Sequence, residues 1–171
     1  MPVSWDRLRA AWLDESGSAT ATPPDGLVLE HVTGHAGNLV IAPVSDEGGA
    51  VTDWPTFTLR HAHPAAQKAD VGRAPFVLVV RVFAPDADRN EFRRWLDEEH
   101  SARQLTIPRV RWYLGYEQDG HEHSFLNIWG IDDPDVVDGE AWSEVRDTPW
   151  WARVSHVTAT AERGVYRPVR A

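Results

Sequence analysis

A nearly unbroken run of β-branched and apolar residues, Phe76–Phe83, most limits the folds open to this chain. A strand of that composition has to be covered on both faces. A different periodicity follows it. In Glu91-Phe-Arg-Arg-Trp-Leu-Asp-Glu-Glu-His100, the residues Phe92, Leu96 and His100 recur at i, i+4 and i+8, with Trp95 and Glu99 alongside. That spacing predicts an amphipathic helix whose apolar stripe carries a histidine toward the interior. Asp88, with Glu91 three residues on, has the spacing of a capping box, and Pro108 stops a helix that runs to about Thr106.

The rest of the second segment, 75–171, alternates in the same manner. Val110–Tyr116 and Ser124–Ile131 read as strands around a turn at Gln118–Glu122. A second helix is expected at about Glu140–Arg146, and Thr148-Pro149 restarts a short one through Trp150, Trp151 and Val154 as an N-cap and first-turn pair. A last strand falls around Thr158–Pro168. The order β-α-β-β-α-β is that of a ferredoxin-like α+β unit, a four-stranded antiparallel sheet with two helices on one face. The first segment, 1–74, reads as a small β-rich extension. It has a short helix at Trp5–Leu13, a loop rich in Ser, Thr, Pro and Gly from Glu15 to Gly26, strands at Leu27–Thr33 and Asn38–Val44, a turn at Asp46–Gly49 and a possible strand at Thr56–His63. The two segments join near Gln67–Pro75, and no internal repeat is evident.

Composition removes several function classes. The chain has no cysteine, so disulfides, thiolate metal sites and cysteine nucleophiles are out. A net charge of −9 without a basic block argues against nucleic acid as a partner. No apolar run approaches the roughly 18 residues that cross a bilayer. The N-terminal Met-Pro-Val-Ser-Trp-Asp does not resemble a signal peptide, so no membrane partner and a cytoplasmic location are expected.

With that element order in place, the second segment resembles the dimeric α/β-barrel superfamily of small ferredoxin-like proteins, and within it EthD-like and related small enzymes. The resemblance rests on Phe92-x-x-Trp95-Leu-x-Glu-Glu-His100, on Ile107-Pro108-x-Val110, on the aromatic strand ending at Tyr116, and on Trp142 followed by Thr148-Pro149-Trp150. It implies a homodimer in which two four-stranded sheets meet as a barrel, each subunit holding a cavity between sheet and helices with His100 on its wall. It also implies a cofactor-independent isomerase, polyketide cyclase or monooxygenase acting on a small hydrophobic, oxygenated ring compound. One departure stands out. Relatives often have glycine after the proline of the Ile-Pro segment, and Arg109 here suggests a different turn.

Candidate site residues follow from strand alternation. His100, with an ordinary pKa near 6.5, could take and return a proton, or could be a buried ring satisfied by a backbone carbonyl. Phe125, Asn127 and Trp129 share one strand face, where Asn127 could hold a substrate oxygen or tie a sheet edge. Tyr113 and Tyr116 lie on opposite faces of their strand, so one of them points into the cavity. Trp95, Trp112, Phe125, Trp129 and Trp150 are the expected substrate-binding aromatics. His61 and His63, at i, i+2, form the best histidine pair for a metal. The pairs His121/His123 and His31/His35 are weaker, and no haem motif stands out. The expectation is therefore no cofactor, with a metal ion or haem as alternatives, and a purely binding module as the non-enzymatic alternative.

Overall fold

Phe76–Phe83 pairs on both edges and is packed on both faces, as its composition demands, and the architecture is arranged around it. The structure is a computed structural model describing residues 5–13, 26–34, 37–44, 54–63 and 71–170. The loop from Glu15, the turn at Asp46–Gly49, His35 and the junction from Gln67 to Asp70 lie outside the described residues. The strands are β1 (Arg7–Trp12), β2 (Leu27–Gly34), β3 (Leu39–Pro43), β4 (Thr56–His63), β5 (Phe76–Phe83), β6 (Val110–Gln118), β7 (His121–Ile131) and β8 (Glu162–Arg170). Between β5 and β6 run helix α1 (Asp86–Trp95), a π-helical turn (Leu96–His100) and α2 (Ser101–Gln104). Between β7 and β8 lie α3 (Glu140–Arg146) and α4 (Pro149–Val154).

All eight described strands pair antiparallel into one closed barrel, in the order β1-β3-β2-β8-β5-β7-β6-β4, with β4 returning to β1. The second half has the ferredoxin-like order β8-β5-β7-β6. The first half, read the same way, is β4-β1-β3-β2, which is the same order. An internal structural repeat therefore exists where none was expected. The halves meet at two seams, β2 on β8 and β4 on β6. The repeat is hidden in the sequence because the helices that dominate the hydropathy pattern sit in the long connections 84–109 and 132–161. The matching first-half connections, 13–26 and 44–55, are much shorter.

Two further expectations are corrected. The barrel needs no second subunit, because one chain supplies all eight strands. Its interior takes Leu8, Leu29 and Phe57 from the first half and Val79, Leu114 and Ile128 from the second. In addition, the helix expected at Trp5–Leu13 is strand β1. Leu8 and Ala10 alternate inward with Arg7 and Arg9, and pairing with β3 on one side and β4 on the other outweighs a helical reading of Trp5, Leu8 and Trp12.

Two details of helix punctuation also differ. α1 begins at Asp86 after Pro85, with no side-chain cap. Asp88 instead meets His156 at 3.2 Å, and Glu91 accepts from Arg153 at 2.9 Å, which ties α1 to the α4 region. Thr148, by contrast, caps α4 as expected, its hydroxyl accepting from the Trp151 amide at 3.0 Å. Arg109 does not change the turn before β6. It adopts φ 77°, the left-handed conformation that favours glycine, and its guanidinium reaches Asp133 at 2.9 Å on the surface.

Because the barrel is complete in one chain, its unfolding midpoint should stay constant over a hundredfold dilution, checked by chemical denaturation at each concentration; a midpoint that falls on dilution would mean that association holds the fold together. Arg109→Gly should hold or raise stability, by up to about 1 kcal/mol, since relief of the left-handed strain exceeds the loss of an exposed ion pair and the added chain entropy. Arg109→Val at the same φ should lose about 1 kcal/mol or more, and urea titrations of the two variants separate these outcomes.

Candidate functional site

The π turn shapes the site. Its hydrogen bonds run i to i+5, which widens one turn of the helix and brings residues five apart into line. Trp95 and His100 are five apart, and their rings stack at 4.0 Å between centroids with an interplanar angle of 30°. His100 also meets Trp129 edge-on at 5.8 Å, and the residue is only 8% exposed. Burial, followed by the nearby Arg146 charge, lowers its pKa to about 3, so the ring is a neutral imidazole near pH 7. The expectation of an ordinary pKa near 6.5 is corrected accordingly. Among the described residues no hydrogen bond reaches its ring. Glu99 does not orient it, because its carboxylate accepts from Thr148 at 2.7 Å and so fastens the π turn to the start of α4.

His100 lines a cavity of about 200 Å³ between the outer face of β5 and β7 and the helices. Leu78, Val80, Phe92, Trp95, Trp142 and Trp151 make its apolar walls. Its polar lining includes Gln104, Asn127, Trp129, Arg146 and Arg163. Gln104 is 1% exposed, and both its amide nitrogen and its amide oxygen are buried without a partner among the described residues. The same holds for the indole N–H of Trp129 and Nε of Arg146. Buried polar atoms are almost always bonded, so several at one cavity mark a place prepared for something polar.

The expected site residues divide between the cavity and its surroundings. His100, Trp95, Asn127 and Trp129 line it. Tyr113 faces the same side, but its hydroxyl donates to Asn127 Oδ1 at 2.7 Å and accepts from Arg60 at 3.4 Å. Asn127 in turn reaches the Val80 carbonyl with Nδ2 at 3.5 Å. Burial raises the Tyr113 pKa to about 12, so it is a neutral hydroxyl that positions Asn127. Tyr116 lies on the opposite face, in the barrel interior, where its hydroxyl donates to the Trp5 carbonyl at 3.0 Å and burial pushes its pKa up. Trp112 is also in the barrel interior, over Gly130, where an added Cβ would strike the indole. Phe125 packs edge-on against Phe92 at 5.7 Å, behind the cavity wall. Trp150 lies outside, between the guanidinium groups of Arg94 and Arg153, and its neighbour Trp151 takes the cavity position.

Sequence reasoning missed Gln104, Arg146, Arg163 and Arg60. Gln104 was within reach, because it continues the series Phe92, Leu96, His100 by four more residues. Arg60 was not. It is the bulged residue skipped where β4 pairs with β6, and its side chain is only 4% exposed. There it forms an ion pair with Asp97 of the π turn and lies over the Phe125 ring at 5.4 Å. Gly115 leaves the space it needs, since a Cβ there would lie 2.8 Å from Arg60 Nη2.

Among the described residues no group of three or more His, Asp or Glu side chains could hold a metal ion. His61 lies 6.2 Å from the Tyr113 ring, between centroids, and His121 is exposed. The side chains of His63 and His123 lie outside the described residues. No helix among the described residues is long and apolar enough to cross a membrane.

No protein-family model matches the sequence, and no curated protein matches it. Solved structures do. An uncharacterized ferredoxin-fold protein from Listeria monocytogenes, described as related to antibiotic biosynthesis monooxygenases, superposes with a TM-score of 0.62 at 10% identity, covering 94% of this chain and 92% of that one. A staphylococcal protein described as a major regulator of pathogenesis gives 0.64 at 6% identity, with 95% and 99% covered. A haem-degrading enzyme from Listeria monocytogenes gives 0.56 at 10%, with 94% and 98% covered. The fold is a ferredoxin-like α/β barrel. One of these proteins is uncharacterized and the other two have different roles, so the likeness carries architecture, and the chemistry has to come from the site.

A void of about 150 Å³ holds one benzene ring. The present cavity, near 200 Å³, is of the size of one substituted ring. His100 is also covered on one ring face by Trp95.

The lowered pKa of His100 fixes a pH dependence of stability. The unfolded chain binds this proton below about pH 6.5, whereas the folded chain does so only near 3, so the contribution is fully present above 6.5 and is lost as the pH falls toward 3. Between pH 6.5 and 4 the wild type should lose up to about 1.4 kcal/mol per pH unit relative to His100→Phe. Parallel urea titrations at pH 7.5, 6, 5 and 4 measure this, and identical slopes for both proteins would contradict it.

Proposed function

We propose that the chain binds a small oxygen-bearing ring compound in the cavity and moves a proton on it through His100, without a dissociable cofactor. The observation carrying this reading is a neutral imidazole stacked on Trp95, on the wall of an apolar cavity, with hydrogen-bonding groups close by that have no partner among the described residues. Neutral imidazole is the form that accepts a proton. Taking one from a carbon next to a carbonyl, or from a phenol, leaves its electron pair on the substrate oxygen as an enolate or phenolate. The amide of Gln104 and the indole N–H of Trp129 are donors suited to that oxygen.

The lowered pKa of His100 makes an isolated imidazolium costly in the empty cavity. An enolate formed beside it offsets that cost, so the two charges arise together. Returning the proton to a different carbon is an isomerisation, and attack of the carbanion on a second carbonyl of the same molecule is a cyclisation. An oxygenation would use dioxygen as the acceptor of the carbanion's electrons. Structural neighbours related to antibiotic biosynthesis monooxygenases support an oxygenase or binding role, and an EthD-like kinship would be compatible with the same cavity.

The test is incorporation of deuterium from heavy water into enolisable single-ring ketones, followed by NMR. The protein should accelerate exchange, and His100→Asn should lower the accelerated rate by about a hundredfold or more while ligand affinity changes only a few-fold. Ketone binding without acceleration, or full acceleration by the variant, would overturn the catalytic assignment and leave a binding module.

A further inference from the structure

The cavity lining is cationic in an acidic protein. The chain has a net charge of −9, yet Arg146 and Arg163 line the cavity and, among the described residues, no aspartate or glutamate does. Arg163 is already engaged: it meets Asp138 at 3.2 Å and donates to the Val137 carbonyl at 2.7 Å. Arg146 is not. Its guanidinium lies over the Trp151 ring at 5.5 Å, its Nε is buried without a partner, and no carboxylate of the described residues is within ion-pair distance. Asp138 acts on it only from further away, from a side chain 73% exposed and paired to Arg163. Burial and the like charge of Arg163 both lower the pKa of Arg146. Gln104, with both amide atoms buried and unpartnered, lines the same cavity.

We propose that the ligand of this cavity carries an anionic oxygen, a carboxylate or an ionised enol on its ring, received by Arg146 with Gln104 as the neutral hydrogen-bonding partner. The assignment deepens the proton-transfer reading and rests on it for the identity of the cavity. A guanidinium presents donors in a planar fork that matches two carboxylate oxygens, and the partial burial of Arg146 strengthens the pairing. A neutral ring of the same shape would leave Arg146 uncompensated. The cation would therefore select charged over neutral ligands, while the aromatic walls accept either. His100 has a second use for such an anion, because a negative charge beside Arg146 cancels part of the field that keeps its ring unprotonated.

Benzoate and benzamide are nearly equal in shape and differ in charge, so calorimetric titration of both isolates the anionic term. The wild type should bind benzoate about ten- to a hundredfold more tightly than benzamide. Arg146→Gln should remove most of that preference while leaving benzamide affinity within a few-fold. Arg94→Gln, on the outer surface by Trp150, should change neither. Equal binding of the two ligands by the wild type, which needs no variant to fold, would overturn the anion assignment. So would a preference that survives Arg146→Gln. Both results leave the deuterium-exchange reading standing. Binding of neither ring would overturn the cavity assignment itself, and with it both proposals.

Discussion

The ion pair between Arg60 and Asp97 joins a bulge in the first half of the barrel to the π turn in the second, and the arrangement of the cavity depends on it. Arg60 is nearly covered, lies over Phe125, and supports the Tyr113 hydroxyl that in turn holds Asn127. A buried guanidinium is stable only while its partners are present, and removing one leaves an uncompensated charge in the interior. The pair therefore does more than fasten two surfaces. It fixes the strand of Tyr113 and the helix of His100 relative to each other from a third element, β4, in the other half of the barrel.

Much of the second half was legible in the sequence because its signals are local. Phe76–Phe83 could be little other than a covered strand, and the i, i+4, i+8 stripe placed Phe92, Leu96 and His100 inside, where they are. The first half was misread where tertiary pairing decides. Trp5, Leu8 and Trp12 have helical spacing while Leu8, Ala10 and Trp12 alternate as in a strand, and only β3 and β4 on either side settle β1. The π turn left no signature, so the stacking of His100 on Trp95 rather than on the residues of its own stripe was out of reach. Arg109 shows the converse, since the backbone keeps a left-handed turn although the residue at that position argues against it.

Within the cavity the aromatic residues set shape and the few polar ones set chemistry. Trp95 and Trp129 cover the imidazole closely enough to keep it uncharged, and Trp151 does for Arg146 what a carboxylate usually would, offering a π face in place of a counter-ion. The unsatisfied amide of Gln104 and the partnerless Nε of Arg146 are costs to the folded state that a ligand could relieve. Strained or unsatisfied groups tend to be concentrated at working sites, and here they converge on one space.

Covalent continuity between the halves has a geometric consequence. Two identical subunits related by a twofold axis must place every residue twice, so a charge brought to one seam is brought to the other. In this chain the seam of β4 on β6 carries a buried arginine at its bulge, while at the seam of β2 on β8 the residue skipped is Val32. Linkage thus frees the barrel from its own symmetry, and a single guanidinium can serve one side of the molecule without an obligatory copy on the other.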